Sequence, residues 1–291
     1  MNYSLAGRAA VITGASQGLG LAIARAYVEA GASVLVCARD AELIDRVGHD
    51  LAASARPSQI VAAQQADVSS PEQVEQVAAR ALSLFPHLDI LVNNAGVCGP
   101  LGEVEGNDWR EWTRTIEINL YGSVLAVRAV LPHMKSRRYG KIIQISGGGA
   151  TTPLPRLSAY AASKASVVRF AESLALEVQE FGIDVNSIAP GALKTRMMRT
   201  VLDAGPSAVG HAYHGRMSRI ASEGGTPLEA GAALATFLAS AESDGITGRL
   251  ISAPWDRWPE LPARRTALEG SDIYTLRRIT PADRGQSWGD K

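Results

Sequence analysis

The chain has only two cysteines in 291 residues, Cys37 and Cys98. That excludes a disulfide framework and points to a reducing compartment, the cytoplasm. It has no excess of charge of either sign, with 29 Lys+Arg against 29 Asp+Glu. Bulk electrostatics therefore give no pull toward nucleic acid or an anionic membrane. No apolar run approaches the ~20 residues that a membrane span requires. The opening MNYSLAGRAAVITGAS lacks the basic-then-apolar pattern of a secretory leader. No repeat of solenoid length is found. What remains is ordinary globular composition, 46% hydrophobic and 20% charged, compatible with one large α/β domain acting on a small molecule.

Short apolar runs alternate with segments of helical periodicity. The runs at 9–13, 33–37, 59–65, 88–92, 141–145, 184–189 and 249–253 read as strands. Helices are expected at 21–30, 41–54, 71–84, 107–134 (capped by Asn107) and 226–240 (Pro227 in its first turn). A further helix carries Tyr160 and Lys164 and stops near Phe181, before Gly182. Strands separated by helices of ten or more residues predict a doubly wound parallel sheet. The segment 194–223 reads as irregular, with Arg196, Arg199, His211, Tyr213, His214 and Arg216. His211 and His214 have no third ligand cluster, so no metal site is expected. Residues 254–291 hold three of the five tryptophans, Trp255, Trp258 and Trp288, too aromatic for a disordered tail. They are expected to dock over the cleft of their own domain (1–253) or on a neighbouring subunit, as a structural clasp, with substrate contact as the alternative.

Three stretches carry chemistry. Gly14-Ala15-Ser16-Gln17-Gly18-Leu19-Gly20 joins the first strand to a helix. Such a turn lets the backbone approach a pyrophosphate, with free helix N–H groups facing it. At the end of the second strand, Arg39 suits the 2′-phosphate of NADP, and Asp40 reads as a helix cap. Asp40 on the ribose of NAD is the alternative. Asp67 ends the third strand, where it could cap the next helix or reach an adenine edge. Asn94, Ala95 and Gly96 close the fourth strand, where an open sheet has its ligand crevice. Asn119 lies inside a helix, where an amide competes for backbone bonds unless it faces something polar. Last, Ser146–Lys164 places Tyr160 and Lys164 one helical turn apart. An ammonium beside a phenol favours the phenolate and lowers its pKa, which would suit proton exchange at an alcohol or ketone oxygen.

Taken together, Thr13–Gly20, Asp67-Val68, Asn93–Gly96, Asn119, Tyr160–Lys164 and Pro190–Thr195 resemble the classical short-chain dehydrogenase/reductase family over residues 5–253. The resemblance implies a single Rossmann-type domain with a seven-stranded parallel sheet, followed here by the C-terminal extension. It implies hydride transfer between NADP (or NAD) and a carbonyl or secondary alcohol. It also implies a homodimer or homotetramer. By position, Tyr160 would be the general acid/base, Lys164 its partner on the nicotinamide ribose, and Asn119 the holder of a relay water. Gly14, Ser16, Gly18, Leu19, Gly20, Asp67, Val68, Asn94, Ala95, Gly96, Pro190, Gly191 and Thr195 would line the cofactor, with Arg39 at its 2′-phosphate.

The chain departs from the family pattern in three places. By spacing from Tyr160, the family's substrate-orienting serine falls at Gly147, and Ser146 is one place earlier. Neighbouring side chains on an extended segment point to opposite faces, but the loop is glycine-rich. Ser146 is therefore the candidate, with Thr151, Ser158 or a backbone N–H as other donors. Gln17 stands where NADP users often carry a basic residue, and Ala253-Pro254-Trp255-Asp256 replaces the usual end of the last strand. A binding protein without turnover, or an epimerase using bound cofactor transiently, would share most of these motifs. The polar segment 194–223 suits an oxygenated, sugar-like or anionic substrate.

Overall fold

Burial on both faces makes the apolar runs strands of one parallel sheet: β1 (Ala9–Thr13), β4 (Ile90–Asn93) and β5 (Gly140–Ile145) are buried at every position. The computed structural model describes residues 3–288. With β2 (Ser33–Ala38), β3 (Val61–Gln65), β6 (Ile183–Ala189) and β7 (Leu250–Ser252), the sheet has seven strands in the order β3-β2-β1-β4-β5-β6-β7. All pairs are parallel, with Ala10 opposite both Val34 and Ile90, and Gln144 opposite Ser187.

In chain order the helices are α1 (Gly18–Glu29), α2 (Ala41–Ser54), α3 (Pro71–Leu84), α4 (Trp109–Ile116), α5 (Gly122–Arg137), α6 (Ser158–Val178), α7 (Arg196–Asp203), α8 (Gly205–Val209), α9 (His211–Glu223) and α10 (Leu228–Ala239). One core layer joins Ile23, Ile44 and Phe237 of α1, α2 and α10 to Ile12, Val36 and Ile143. The other joins Val77, Val130 and Leu174 of α3, α5 and α6 to Val11, Leu91 and Val185. The winding direction changes between β1 and β4, which opens a crevice beyond their carboxyl ends.

Several expectations are met locally. Asp40 caps α2, its Oδ1 accepting from Leu43 N at 3.0 Å. Gly182 ends the helix region with φ +65°, a left-handed conformation that favours glycine. Others are corrected. Ser70, not Asp67, caps α3. The helix expected at 107–134 starts at Trp109 under Asp108, whose carboxylate accepts from Arg110 N and Glu111 N, so Asn107 is not its cap. It is interrupted by a π turn at Glu117–Tyr121 that holds Asn119. Pro227 precedes α10 rather than sitting inside it.

The segment expected to be irregular is instead the three helices α7, α8 and α9, separated by Gly205 and Gly210 at φ +77° and +85°. They are seated by an apolar cluster in which Met198, Val201, Val209 and Met217 meet Cys98 and Leu157.

Beyond β7 the chain folds back on its own sheet. The two outward amides of this edge strand are occupied: Leu250 N donates to Tyr274 O (2.8 Å) and Ser252 N to Asp256 Oδ2 (2.6 Å). The Arg249 guanidinium donates to the carbonyls of Ser271 (2.8 Å), Ile273 (2.7 Å) and Leu268. Trp258 packs on Phe237 and Tyr3, with ring centroids 5.5 and 6.3 Å away. The other two tryptophans are exposed, Trp255 by 83% and Trp288 by 68%, and Trp255 stands at the crevice. Residues 289–291 of the expected extension, like residues 1 and 2, lie outside the described part.

Candidate active site

A cleft of about 1680 Å³ lies over the carboxyl ends of the strands. It exceeds the ~300–1,000 Å³ of typical small-ligand sites, so it has room for a dinucleotide and a second molecule. Its floor begins at the glycine turn. Gly14 and Gly18 have φ of +64° and +59°, where a side chain is strained. A Cβ on Gly20 would lie 2.4 Å from Asn94 Nδ2 and 2.5 Å from the Gly14 carbonyl. The cradle therefore admits only glycine there. Gln17 precedes α1 without a side-chain cap, and the first turn of α1 has no acidic residue. Its first N–H groups are left for an anion. Thr195 meets this turn from the start of α7, its Cγ2 lying 3.5 Å from a Cβ placed on Gly18. The cradle, the uncapped helix and Thr195 together fit a pyrophosphate-bearing cofactor.

Asn94 is tied to the same turn. Its Nδ2 donates to the carbonyls of Thr13 and Gly14, both at 2.9 Å, and Thr13 Oγ1 accepts from the amides of Asn94 and Ala95. Ser16, Leu19, Arg39, Val68, Pro190 and Gly191 also line the cleft. Asp67 is committed elsewhere in part. Its carboxylate accepts from Ser69 N and Oγ, and from Arg114 Nη2 at 2.5 Å. Burial pushes Asp67 up, but Ser69 and Arg114 outweigh it and hold the group below the usual carboxylate range. Arg114 was not singled out from the sequence, since nothing local marks a helix arginine as the partner of an aspartate on another strand.

The catalytic candidates converge at the ends of β4 and β5. Asn119 Oδ1 accepts from Val97 N (2.8 Å), and its Nδ2 donates to Val97 O (2.9 Å) and Ser163 Oγ (2.8 Å). Ser163 Oγ in turn donates to Tyr160 O at 2.8 Å. The π turn of the α4–α5 region is thus tied to the turn of α6 that carries Tyr160. Ser163, not assigned a role from sequence, is the link. Lys164 Nζ donates to the Ile145 carbonyl at 2.7 Å and lies 3.4 Å from a Cβ placed on Gly96.

The electrostatics differ from the expected phenol-lowering pair. Burial drives the Tyr160 phenol well above its ordinary value, with Cys98 and Tyr213 adding to the shift. Burial also pulls Lys164 down to about 8. The ammonium is spent on the Ile145 carbonyl, and desolvation of the phenol dominates. The Tyr160 phenol is consequently harder to ionise than an ordinary tyrosine.

Gly147 is the position aimed at that phenol. A Cβ there would lie 2.3 Å from Tyr160 Oη and 3.3 Å from Cζ. Ser146 is 3% exposed, and its Oγ has no hydrogen-bond partner among the described residues. Ser146 is therefore not brought into hydrogen bonding with Tyr160. Ser158 Oγ accepts from Trp112 Nε1 at 3.1 Å, and Thr151 stands at the cleft wall. Both cysteines are free and buried, with Cys37 pushed up to about 12 and Cys98 to about 11.

The chain is similar to known proteins in sequence and in fold. The family model for short chain dehydrogenases matches residues 8–205. The chain is 34% identical over 244 residues to the L-fucose dehydrogenase of Oryctolagus cuniculus, covering 84% of this chain and 82% of that protein. Among solved structures it is similar to levodione reductase, with a TM-score of 0.77, 26% identity, and 89% and 98% of the two chains covered. A gluconate 5-dehydrogenase from Burkholderia cenocepacia J2315, in complex with NADP and tartrate, matches with a TM-score of 0.76 and 28% identity, covering 86% and 95%.

Proposed function

The chain belongs to the short-chain dehydrogenase/reductase family, a family of oxidoreductases, and on that premise we propose that it interconverts a carbonyl and a secondary alcohol with NADP(H). The observation that carries this reading is the convergence of Asn119, Tyr160 and Lys164 beside the glycine cradle. The cofactor would be held by Gly14, Ser16, Gly18, Leu19, Gly20 and Thr195 at its phosphates, and by Asp67 and Val68 at the adenine. Asn94, Ala95, Gly96, Lys164, Pro190 and Gly191 would hold its nicotinamide side. When bound, it supplies or accepts the hydride at the substrate carbon.

Tyr160 carries the proton. Its buried phenol is protonated at neutral pH, which suits donation to the oxygen of a carbonyl being reduced. Lys164, one turn further along α6, is held by the Ile145 carbonyl at the end of β5, and Asn119 fixes the turn that presents Tyr160 through Ser163. The cleft positions the substrate carbon, and positioning supplies much of the acceleration.

Arg39 supports NADP over NAD: it is exposed at the cleft and has no ion pair among the described residues. Asp40, the residue that would favour NAD, is occupied as a cap. The relative named for L-fucose and the polar groups of Thr200 and Tyr213 at the cleft support a polar, sugar-like substrate. Self-association as a homodimer or homotetramer belongs to the same reading, and light scattering reads it directly.

The test is NADPH oxidation followed at the nicotinamide absorbance band, over sugars, hydroxy ketones and oxo acids. Tyr160→Phe should lose nearly all turnover and keep its NADPH affinity. Turnover near the wild-type rate in that variant would remove the assignment.

A further inference from the structure

Gly147 offers no side chain to orient a substrate oxygen beside Tyr160, so substrate orientation has to come from another wall of the cleft. Tyr160 shares its apolar cluster with Tyr213 of α9, and both line the cleft. The Arg216 guanidinium lies 5.2 Å from the centroid of the Tyr213 ring, an arrangement that holds the cation near that phenol.

Arg216 belongs to a charged rim. Between 194 and 223 the chain has Lys194, Arg196, Arg199, Arg216 and Arg219 against Asp203 and Glu223. Lys194, Arg196, Arg199 and Arg216 line the cleft, and neither lid acid does. None of these four has an ion pair among the described residues. Lys194 and Arg196 flank Thr195, which meets the glycine turn, and so stand on the cofactor side. Arg199 and Arg216 stand elsewhere. Each is exposed and adjoins a methionine, Met198 or Met217, buried in the cluster that contains Tyr160. Arg114, which also lines the cleft, is paired with Asp67 and Glu117 on the adenine side.

We propose that Arg216, together with Arg199 on the same cleft lining, is an anion-recognition site that anchors a carboxylate or phosphate group of the substrate and so orients its carbonyl toward Tyr160. The inference rests on the carbonyl-reductase reading above and narrows its substrate to small organic anions such as oxo acids, sugar acids or phosphorylated sugars. It also explains how the site works with glycine at 147: orientation is supplied by a charge on the lid instead of a hydroxyl on the β5 loop. A hydrogen bond to a charged group outweighs a neutral one about twofold, so an anchored anion can take over the work of the missing hydroxyl.

Binding separates this from the reading it rests on. Isothermal titration of the protein saturated with NADP⁺ uses two matched carbonyl pairs: acetoacetate with its methyl ester, and dihydroxyacetone phosphate with dihydroxyacetone. With the oxidised cofactor a carbonyl ligand is not reduced, so binding is read without turnover. The wild type should bind the anion of at least one pair at least tenfold tighter than its neutral partner, and the pair that responds tells carboxylate from phosphate. Arg216→Gln should erase that ratio, Arg216→Lys should keep part of it, and Arg199→Gln should reduce it. Equal binding within both pairs, or no binding of any of the four, overturns the proposal. So does a ratio that survives both Arg216→Gln and Arg199→Gln. Both arginines are exposed, and unchanged thermal melts verify that the variants fold. NADPH turnover on the same compounds reads the other reading alone: anion preference without turnover removes hydride transfer, and turnover without anion preference removes the anion site.

Discussion

Adding a single carbon at Gly147 tests how closely Tyr160 is set. The backbone there is extended (φ −171°, ψ 172°), so alanine fits it without strain. The new methyl would lie 2.3 Å from Tyr160 Oη. Carbon–oxygen contact requires about 1 Å more than that. Oη is the free end of a side chain facing an open cleft, so the phenol yields rather than the backbone. Overpacking ordinarily costs ~1–3 kcal/mol, and yielding of this kind places the cost near ~1 kcal/mol, or ~2–4 °C in Tm for a domain of this size. Catalysis should suffer more, because a 1 Å misplacement of a reacting group can cost ~100-fold. That corresponds to ~2.7 kcal/mol of barrier. Steady-state NADPH oxidation, a fluorescence titration with NADPH and a thermal melt separate the two effects. Gly147→Ala should lose kcat about 100-fold, with NADPH affinity within about twofold and only the small melt shift. Gly147→Ser carries the same clash and should fall with it. Wild-type kcat in the alanine variant would refute the reasoning, and so would a gain of turnover in the serine variant.

Other expectations are open to equally direct measurement. Asn119→Leu leaves the amide and carbonyl of Val97 and Ser163 Oγ without their partner, and chemical denaturation should show a loss of ~2–4 kcal/mol. Lys164 titrates near 8 when folded, against 10.5 for the ordinary group. Between those values the unfolded chain binds more protons than the folded one, so stability should rise with pH across that window, by on the order of 3 kcal/mol for this group. Denaturation midpoints of wild type and Lys164→Met at pH 7.5 and 10.5 should therefore converge as pH rises, and a constant gap would contradict this. Arg249→Ala removes three bonds to the carbonyls of the C-terminal segment. Limited proteolysis should then cut after residue 253 at least tenfold faster, by ~1–2 kcal/mol of lost hydrogen bonding, with little change in the global melt.

The sheet was legible because each strand is an apolar run bounded by turn residues, and the helix ends at Asp40 and Gly182 follow from local capping. The helices of 196–223 were not legible. Met198 and Val201 do stand at helical spacing, but they and Met217 pack with Cys98 and Leu157, far away in sequence. Their outward faces read simply as polar loop. The interruption at Glu117–Tyr121 has no residue signature, because it is set by the three bonds of Asn119 to other segments. Ser146 was a candidate only because a glycine loop seemed able to turn it inward. Strand alternation prevails instead, and position 147 is the one aimed at Tyr160. The perturbed phenol was misread for a related reason: sequence spacing shows Lys164 near Tyr160 but not the desolvation that overrides it.

The closed edge of β7 has a bearing on how the chain is made. Leu250 and Ser252 belong to the strand, but the groups that satisfy their outward amides, Tyr274 and Asp256, are synthesised after it. During translation the nearly finished sheet presents an open template to any neighbouring nascent chain until that later segment emerges. A pause with β7 emerged from the ribosome and residues 256–274 still inside it would prolong that exposure. Substitutions that remove the Arg249 guanidinium or the Asp256 carboxylate should therefore lower the yield of soluble protein more than they lower the stability of the molecules that do fold.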